Sequence, residues 1–211
     1  MTLPVESLGP RCEFRLRGEG LDVLPRMKLV LARAGHAASL ASVPEELRRE
    51  ADLAYAEGKR LARHEALVVC GPPGSFPPES APEGFYSSAL ACVFASSLGD
   101  EVERETESLF ARGASLKAVL LDAWASESLE AFNESIHAAV AAKAALAGLA
   151  PLKMDRVERF SPGYGALSVL ANFRLLSALP RGPVEASEKT GILSPRKSTV
   201  CLLAFARANR P

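Results

Sequence analysis

Arg159-Phe160-Ser161-Pro162-Gly163-Tyr164-Gly165 is the stretch on which the reading of this chain turns, with Thr190-Gly-Ile-Leu-Ser-Pro-Arg-Lys-Ser198 following shortly after. A fixed cation stands immediately before a Pro-Gly-Tyr-Gly turn. Glycine permits positive φ and close approach of the backbone to a ligand, while proline pre-sets its own φ. The planar fork of an arginine beside exposed amides suits a carboxylate or a phosphate, because it can bond both oxygens at once. Taken alone, the pattern also fits a strand that ends in a turn.

Upstream, residues 11–18 alternate in polarity as an exposed-face strand does, and 23–34 read as a short apolar helix with Pro25 in its first turn. Ser42-Val-Pro-Glu45 has the form of a capping box and opens a helix to about Arg63, with Leu47, Leu53 (or Ala54) and Leu61 inward. His64 to Cys70 is a buried strand, and Ala89 to Ser96 a central one. Between them, residues 71–84 form a proline-rich loop, either an excursion near a site or a plain surface loop. It lacks the Gly-Lys-Ser/Thr ending of a phosphate loop.

Gly99-Asp100 starts a polar helix over Glu101–Arg112, closed by Gly113. From Leu116 a long or broken helix continues to about Leu149, with Leu129, Phe132, Ile136 and Val140 as its buried stripe. Glu127, Glu130, Glu134 and His137 share another face of it. That face can be solvated with intrahelical pairing, or turned toward a cationic ligand. Glu134-x-x-His137 is half of a di-iron carboxylate motif, but neither His36 nor His64 has a glutamate three residues before it. Beyond Pro151 a strand is expected through Arg156 to Phe160. A helix over about Leu167 to Leu179 and an apolar strand over Ser198–Ala206 complete the chain.

The 211 residues suit one well-buried domain, 1–211, and the 48% apolar content excludes disorder as a description of the whole. Lys+Arg and Asp+Glu both total 25, so the chain lacks the basic excess of a nucleic-acid binder. No secretory signal or membrane-length apolar run is visible, which points to a soluble, cytoplasmic protein. Cys12, Cys70, Cys92 and Cys201 are far apart and read as structural thiols, with no metal site expected.

Three blocks carry a resemblance to the reactivation domain of cobalamin-dependent methionine synthase and its stand-alone relatives. Ser97-Leu-Gly99, Leu121-Asp-Ala-Trp-Ala-Ser126 and Glu130-Ala-Phe132 are similar to that family's L-G, D-A-x-G-S and E-A run. Arg159-x-Ser-Pro-Gly-Tyr-Gly165 resembles R-x-S-P-G-Y-G, and Gly191-Ile-Leu-Ser-Pro-Arg-Lys-Ser198 resembles G-M-L-x-P-x-K-S. With the weaker Val30-Leu-Ala-Arg-Ala-Gly-His36 start, the likeness spans about 25–206.

The resemblance implies an α/β fold of the α+β type, a bent, largely antiparallel sheet flanked by helices. It implies S-adenosylmethionine as ligand, a corrinoid-binding protein or cobalamin-dependent methionine synthase module as partner, and a flavodoxin-type electron donor. The protein would then assist reductive remethylation of a partner's cobalamin, as an accessory component rather than a complete enzyme. Carried over residue by residue, Arg159 meets the ligand carboxylate, Ser161, Pro162, Gly163, Tyr164 and Gly165 surround the ligand, and Glu130 lies near its cationic end.

The family's second glutamate corresponds to Lys153, with Asp155 or Glu158 as candidate substitutes. Glu158 adjoins Arg159 and would point the other way in a strand. Ala125 replaces a glycine, and Ala166-Leu-Ser-Val-Leu170 replaces a polar continuation. No D-x-H-x-x-G cobalamin signature is present. The departures favour a rival reading, an interaction module that kept the fold and lost the ligand. A third is an enzyme using Glu130, Glu134 and His137 for acid–base work.

Overall fold

The computed structural model describes residues 11–19, 21–36 and 43–208. Among the described residues, six antiparallel strands form the main sheet: β1 (Cys12–Arg17), β2 (Glu65–Gly71), β3 (Leu90–Ser97), β4 (Leu149–Pro151), β5 (Arg159–Phe160) and β8 (Ser198–Arg207). The order is β1-β2-β3-β8-β4, and β5 pairs with β8 beside β4. A small hairpin of β6 (Glu185–Ala186) and β7 (Leu193–Ser194) stands apart. The fold is thus mixed α/β, with a mostly antiparallel sheet flanked by helices.

Strand period two divides the central strands between two cores. Val68, Phe94, Cys201, Leu203 and Phe205 face one side, where Phe132, Ile136 and Val140 of a long helix cover them. Leu67, Val69, Val93, Val200 and Leu202 face the other, under Phe76, Phe85, Met154, Phe160 and Leu175. Because both faces are covered, every residue of β3 is buried, and the sequence there is a continuous apolar run rather than an alternation.

The helices are α1 (Met27–Arg33), α2 (Glu45–Leu61), α3 (Glu83–Tyr86), α4 (Glu101–Ala111), α5 (Ser115–Leu146) and α6 (Ala171–Ser177). A third core joins α1, α2, α4 and the first half of α5, with Trp124, Leu31, Leu98 and Leu120 at its centre. Gly58 of α2 lies against the Trp124 ring, where an added Cβ would come within 2.2 Å. Helix α5 is unbroken over 32 residues, about 48 Å at 1.5 Å per residue. Its first half packs among helices and its second half on the sheet.

Several expectations need correction. Helix α1 starts at Met27, after Pro25, whose carbonyl instead accepts from the Tyr55 hydroxyl at 3.0 Å. On α2 it is Ala54 that is buried, while Leu53 is 52% exposed. The capping serine, Ser42, lies outside the described residues. The strand expected over 156–160 is interrupted because Met154 and Val157 bond each other across Asp155 and Arg156. Those two have φ of 48° and 73°, the left-handed pair of a type I′ hairpin turn. Helix α6 begins only at Ala171 because the Leu167 carbonyl is taken by the Gly163 amide.

Cys70 and Cys92 are joined in a disulfide rather than standing as thiols. The β2–β3 register sets them opposite each other with Cα atoms 4.1 Å apart, a proximity their separation of 22 residues conceals. Cys12 and Cys201 remain free. The proline-rich loop folds back on the sheet, with Phe76 buried against Phe85 and the Tyr86 hydroxyl donating to the Pro77 carbonyl.

Candidate functional site

The middle of α5 passes the sheet edge where β5 pairs with β8, and a cavity of about 400 Å³ opens between them. Glu130 and Asn133 reach it from α5, Arg159, Phe160 and Ser161 from β5 and its continuation, and Thr199 and Cys201 from β8. Asp155 and Val157 close one side from the type I′ turn, and Tyr164 and Gly165 another from the Pro-Gly-Tyr-Gly turn.

Arg159 is the cation of this cavity. Its side chain is 18% exposed, and one terminal nitrogen, Nη2, donates to Glu130 Oε1. The other, Nη1, is buried and has no hydrogen-bond partner among the described residues. A buried polar group without a partner ordinarily costs free energy comparable to a lost hydrogen bond. The guanidinium therefore retains unused capacity for an anion. Asp155 supplies a second carboxylate, close enough to Gly165 that a Cβ there would meet Asp155 Oδ2 at 2.9 Å. Among the described residues the cavity lining holds one cation and two carboxylates, a set suited to a small zwitterion.

The floor is tied down. Asn133 Oδ1 accepts from the Ser96 hydroxyl at 2.6 Å, and both residues are buried. The Cys201 sulfur lies 3.3 Å from Ser161 Oγ. Burial pushes the Cys201 thiol up, while the Ser161 contact and the nearby Arg159 charge oppose that. The thiol thus stays protonated near neutral pH.

Of the residues proposed from the sequence, Arg159, Ser161, Tyr164, Gly165 and Glu130 line this one cavity. Pro162 and Gly163 do not: Pro162 is buried and Gly163, with φ of 92°, turns the chain. Nor do all the turn amides wait for a ligand. Gly163 donates to the Leu167 carbonyl at 2.9 Å and Tyr164 to the Ser161 carbonyl at 3.4 Å. Proline-rich residues 71–84 contribute nothing to the cavity lining.

The acidic face of α5 pairs mainly with other elements rather than along the helix. Glu127 accepts from Arg33 Nε at 2.6 Å, Glu130 holds Arg159, and Glu158 sits 3.8 Å from His137 Nε2. Burial first, then the Arg159 charge, lowers the His137 pKa against the pull of Glu158 and Glu134. Glu134 and His137 do not line the cavity. Among the described residues no group of three or more His, Cys, Asp or Glu is placed to hold a metal. No described helix is long and apolar enough to cross a membrane.

Asp155, a candidate substitute for the family's second glutamate, lines the cavity and Glu158 does not, whereas Asn133, Thr199 and Cys201 were not singled out as site residues. Two signals pointed to them: Asn133 follows Glu130 by three on one helix face, and Thr199 and Cys201 are alternate positions of one strand.

The remaining motif residues meet elsewhere. Lys197 Nζ contacts Asp122 Oδ1 and Ser126 Oγ, each at 2.8 Å, and the Ser198 hydroxyl donates to Ser97 Oγ at 2.9 Å. The first and third blocks thus close a structural knot at the start of β8. Arg196 beside it is bound by both Glu103 and Glu107 of α4.

No protein-family model and no curated protein matches the chain. Among solved structures, it is similar to the crystal structure of the MetH reactivation domain bound to AdoHcy, with a TM-score of 0.60 and 14% identity over 95% of this chain and 79% of that one. At that identity the likeness is one of fold.

Proposed function

We propose that this protein binds S-adenosylmethionine in the Arg159 cavity and serves as an activation-domain-like accessory to a corrinoid-dependent methyltransferase. The observation that carries the reading is the guanidinium with one buried, unsatisfied nitrogen in a cavity that also holds the Glu130 and Asp155 carboxylates. The amino-acid part of S-adenosylmethionine offers one carboxylate for the arginine and one ammonium for the carboxylates. Its sulfonium adds a second cation for the same acidic wall. Thr199, Asn133 and the Ser161 hydroxyl remain as polar contacts, and Val157, Phe160 and Tyr164 as apolar ones. The neighbouring fold whose crystal structure holds AdoHcy supports the same ligand class.

The partner role rests on the surface around the mouth. Tyr164 is 71% exposed and Ile192 61%, and Val169 and Leu170 between them are exposed as well. Gly191 packs directly on the Val169–Leu170 backbone, which makes these residues neighbours. Such an apolar rim suits a protein that docks over the ligand and brings a corrin to it. The methyl transfer itself belongs to the cobalt chemistry of that partner. This chain supplies ligand position and charge.

A second reading, a module that keeps the fold without the ligand, is favoured by the pairing of Arg159 with Glu130 within the cavity. Calorimetric titration with S-adenosylmethionine and with AdoHcy separates the two. Saturable one-to-one binding is expected, with about 2.7 kcal/mol of added stability at a hundredfold excess over Kd. Neither heat nor a shift in melting temperature at millimolar ligand would leave the interaction module as the better account.

A further inference from the structure

The Glu130–Arg159 contact places the helix glutamate where a ligand carboxylate would have to go. Glu130 Oε1 takes only Nη2, and Nη1 stays buried without a partner among the described residues. A carboxylate meeting the guanidinium end-on can accept from both terminal nitrogens at once. Glu130 is therefore a poor occupant of the arginine, better matched by a free carboxylate of the right approach. Its own side chain is 46% exposed and belongs to a helix anchored above and below, by Ser128 to the Val23 carbonyl and by Asn133 to Ser96. A change of the Glu130 rotamer moves no backbone.

Resting on the zwitterion-binding reading above, we propose that Glu130 is an internal competitor that sets the ligand specificity of the cavity. In the empty site it holds Arg159. An incoming carboxylate takes both nitrogens of the guanidinium, and the released Glu130 turns to the ligand's ammonium. Binding thus exchanges one charge pair for two, but only for a ligand that carries both charges. A ligand with a carboxylate alone displaces Glu130 without offering it a new cation. One with an ammonium alone leaves the Arg159 pair in place and finds Asp155 as the remaining carboxylate of the cavity. The arrangement selects amino-acid-bearing nucleosides over singly charged analogues of the same size, which is discrimination by a repulsive element as well as an attractive one.

Two probes and one variant test this. AdoHcy carries both charges. Its deamino analogue keeps the carboxylate and thioether nucleoside but lacks the amine. For Glu130→Gln the lost ammonium contact offsets the lost competitor, so AdoHcy binding should change by no more than about twofold. Binding of the deamino analogue should strengthen by about tenfold, the scale of one charge-assisted hydrogen bond, because its competitor has gone. That gain cannot come from a damaged fold, which weakens both ligands.

If Glu130→Gln weakens AdoHcy and leaves the analogue unchanged, Glu130 is a cation contact only and the competitor role is wrong. Should both ligands weaken together, Glu130 merely pins Arg159, and the proposal again fails. If wild type binds neither probe, the ligand reading itself falls, an outcome distinct from either failure of the competitor.

Discussion

Arg159 and Lys197 invite comparison. Each is a motif cation facing α5, and their side chains are almost equally covered, 18% and 19% exposed. Lys197 reaches the Asp122 carboxylate and the Ser126 hydroxyl, while Arg159 has Glu130 and an orphaned Nη1. An ammonium with its donors engaged is a fastening. A guanidinium left half-engaged at similar burial keeps donor capacity that the proposed ligand would use. The motif residues therefore split by job, the third block closing the fold and the second lining a cavity.

The largest effect should come from the fastening side. Gly191 opens the third block with φ of 70°, and a Cβ there would come within 2.2 Å of the Val169 carbonyl oxygen. Backbone cannot move aside as a flexible side chain can. Gly191→Ala should cost about 3 kcal/mol or more, from left-handed strain plus the overlap, and lower the melting temperature by roughly 6–12 °C. A melt within 2 °C or so of wild type would mean the block is not a fastening.

Next comes the cavity. Arg159→Ala should weaken AdoHcy binding by about 2–5 kcal/mol, roughly thirtyfold or more, by leaving the ligand carboxylate unpaired in a partly desolvated site. The melting temperature should barely change, because Glu130 can return to water and a buried orphan donor is removed. Calorimetry and thermal melts on the same preparation decide the matter. A lowered melt with unchanged affinity would make Arg159 a second fastening and erase the contrast.

Lys197→Met is the mirror experiment. It keeps the aliphatic stem and removes the ammonium from Asp122 and Ser126. Breaking a well-buried pair costs about 3–5 kcal/mol, and here Asp122 is 50% exposed, so about 2 kcal/mol is expected in urea unfolding. Affinity for AdoHcy in the folded protein should hold. If ligand binding falls as far as it does for Arg159→Ala, the two cations act on one site.

How much of this was legible depends on the range of the interaction. The apolar run over 89–96 marked the central strand, and the helical spacing of Phe132, Ile136 and Val140 marked the stripe of α5 that covers it. Both are local patterns. Residues Arg159, Tyr164, Gly165 and Glu130 were named because the motifs resemble a known family, and the structure gathers them in one cavity.

Local pattern failed where pairing partners are distant. No spacing rule connects Glu130 to Arg159, 29 residues on, or joins Cys70 to Cys92. The Asp155-Arg156 turn was missed because type I′ turns ordinarily announce themselves with Asn-Gly or Asp-Gly. A non-glycine pair at positive φ beside a cavity is strain of a kind that gathers at functional sites. The turn amides of Gly163 and Tyr164 were misjudged for a simpler reason, that a tight turn consumes its own donors.

The smallest expected effect lies between the two regions. Ser128, midway on α5 between Ser126 and Glu130, donates to the Val23 carbonyl at 2.8 Å, which leaves its oxygen for His64 Nε2 at 2.8 Å. His64 also packs edge-on against Phe132, and burial pushes its pKa from 6.5 down to about 4. Above pH 6.5 the imidazole is neutral whether the chain is folded or not, so it adds no pH dependence. Below that, the unfolded chain takes up a proton that the folded one refuses until about pH 4. Stability therefore falls with acid across that window and levels off beneath it. Allowing for the partial exposure of the ring, the loss by pH 5 should be about 1–2 kcal/mol. His64→Gln retains an amide donor for Ser128 and cannot titrate, so its urea midpoint should fall less than that of wild type between pH 7 and pH 5. Because the protonation penalty falls on the stretch of α5 that both regions share, it should lower global stability without changing the intrinsic affinity of folded protein for AdoHcy. Parallel acid curves for wild type and His64→Gln would assign the pH dependence to other groups.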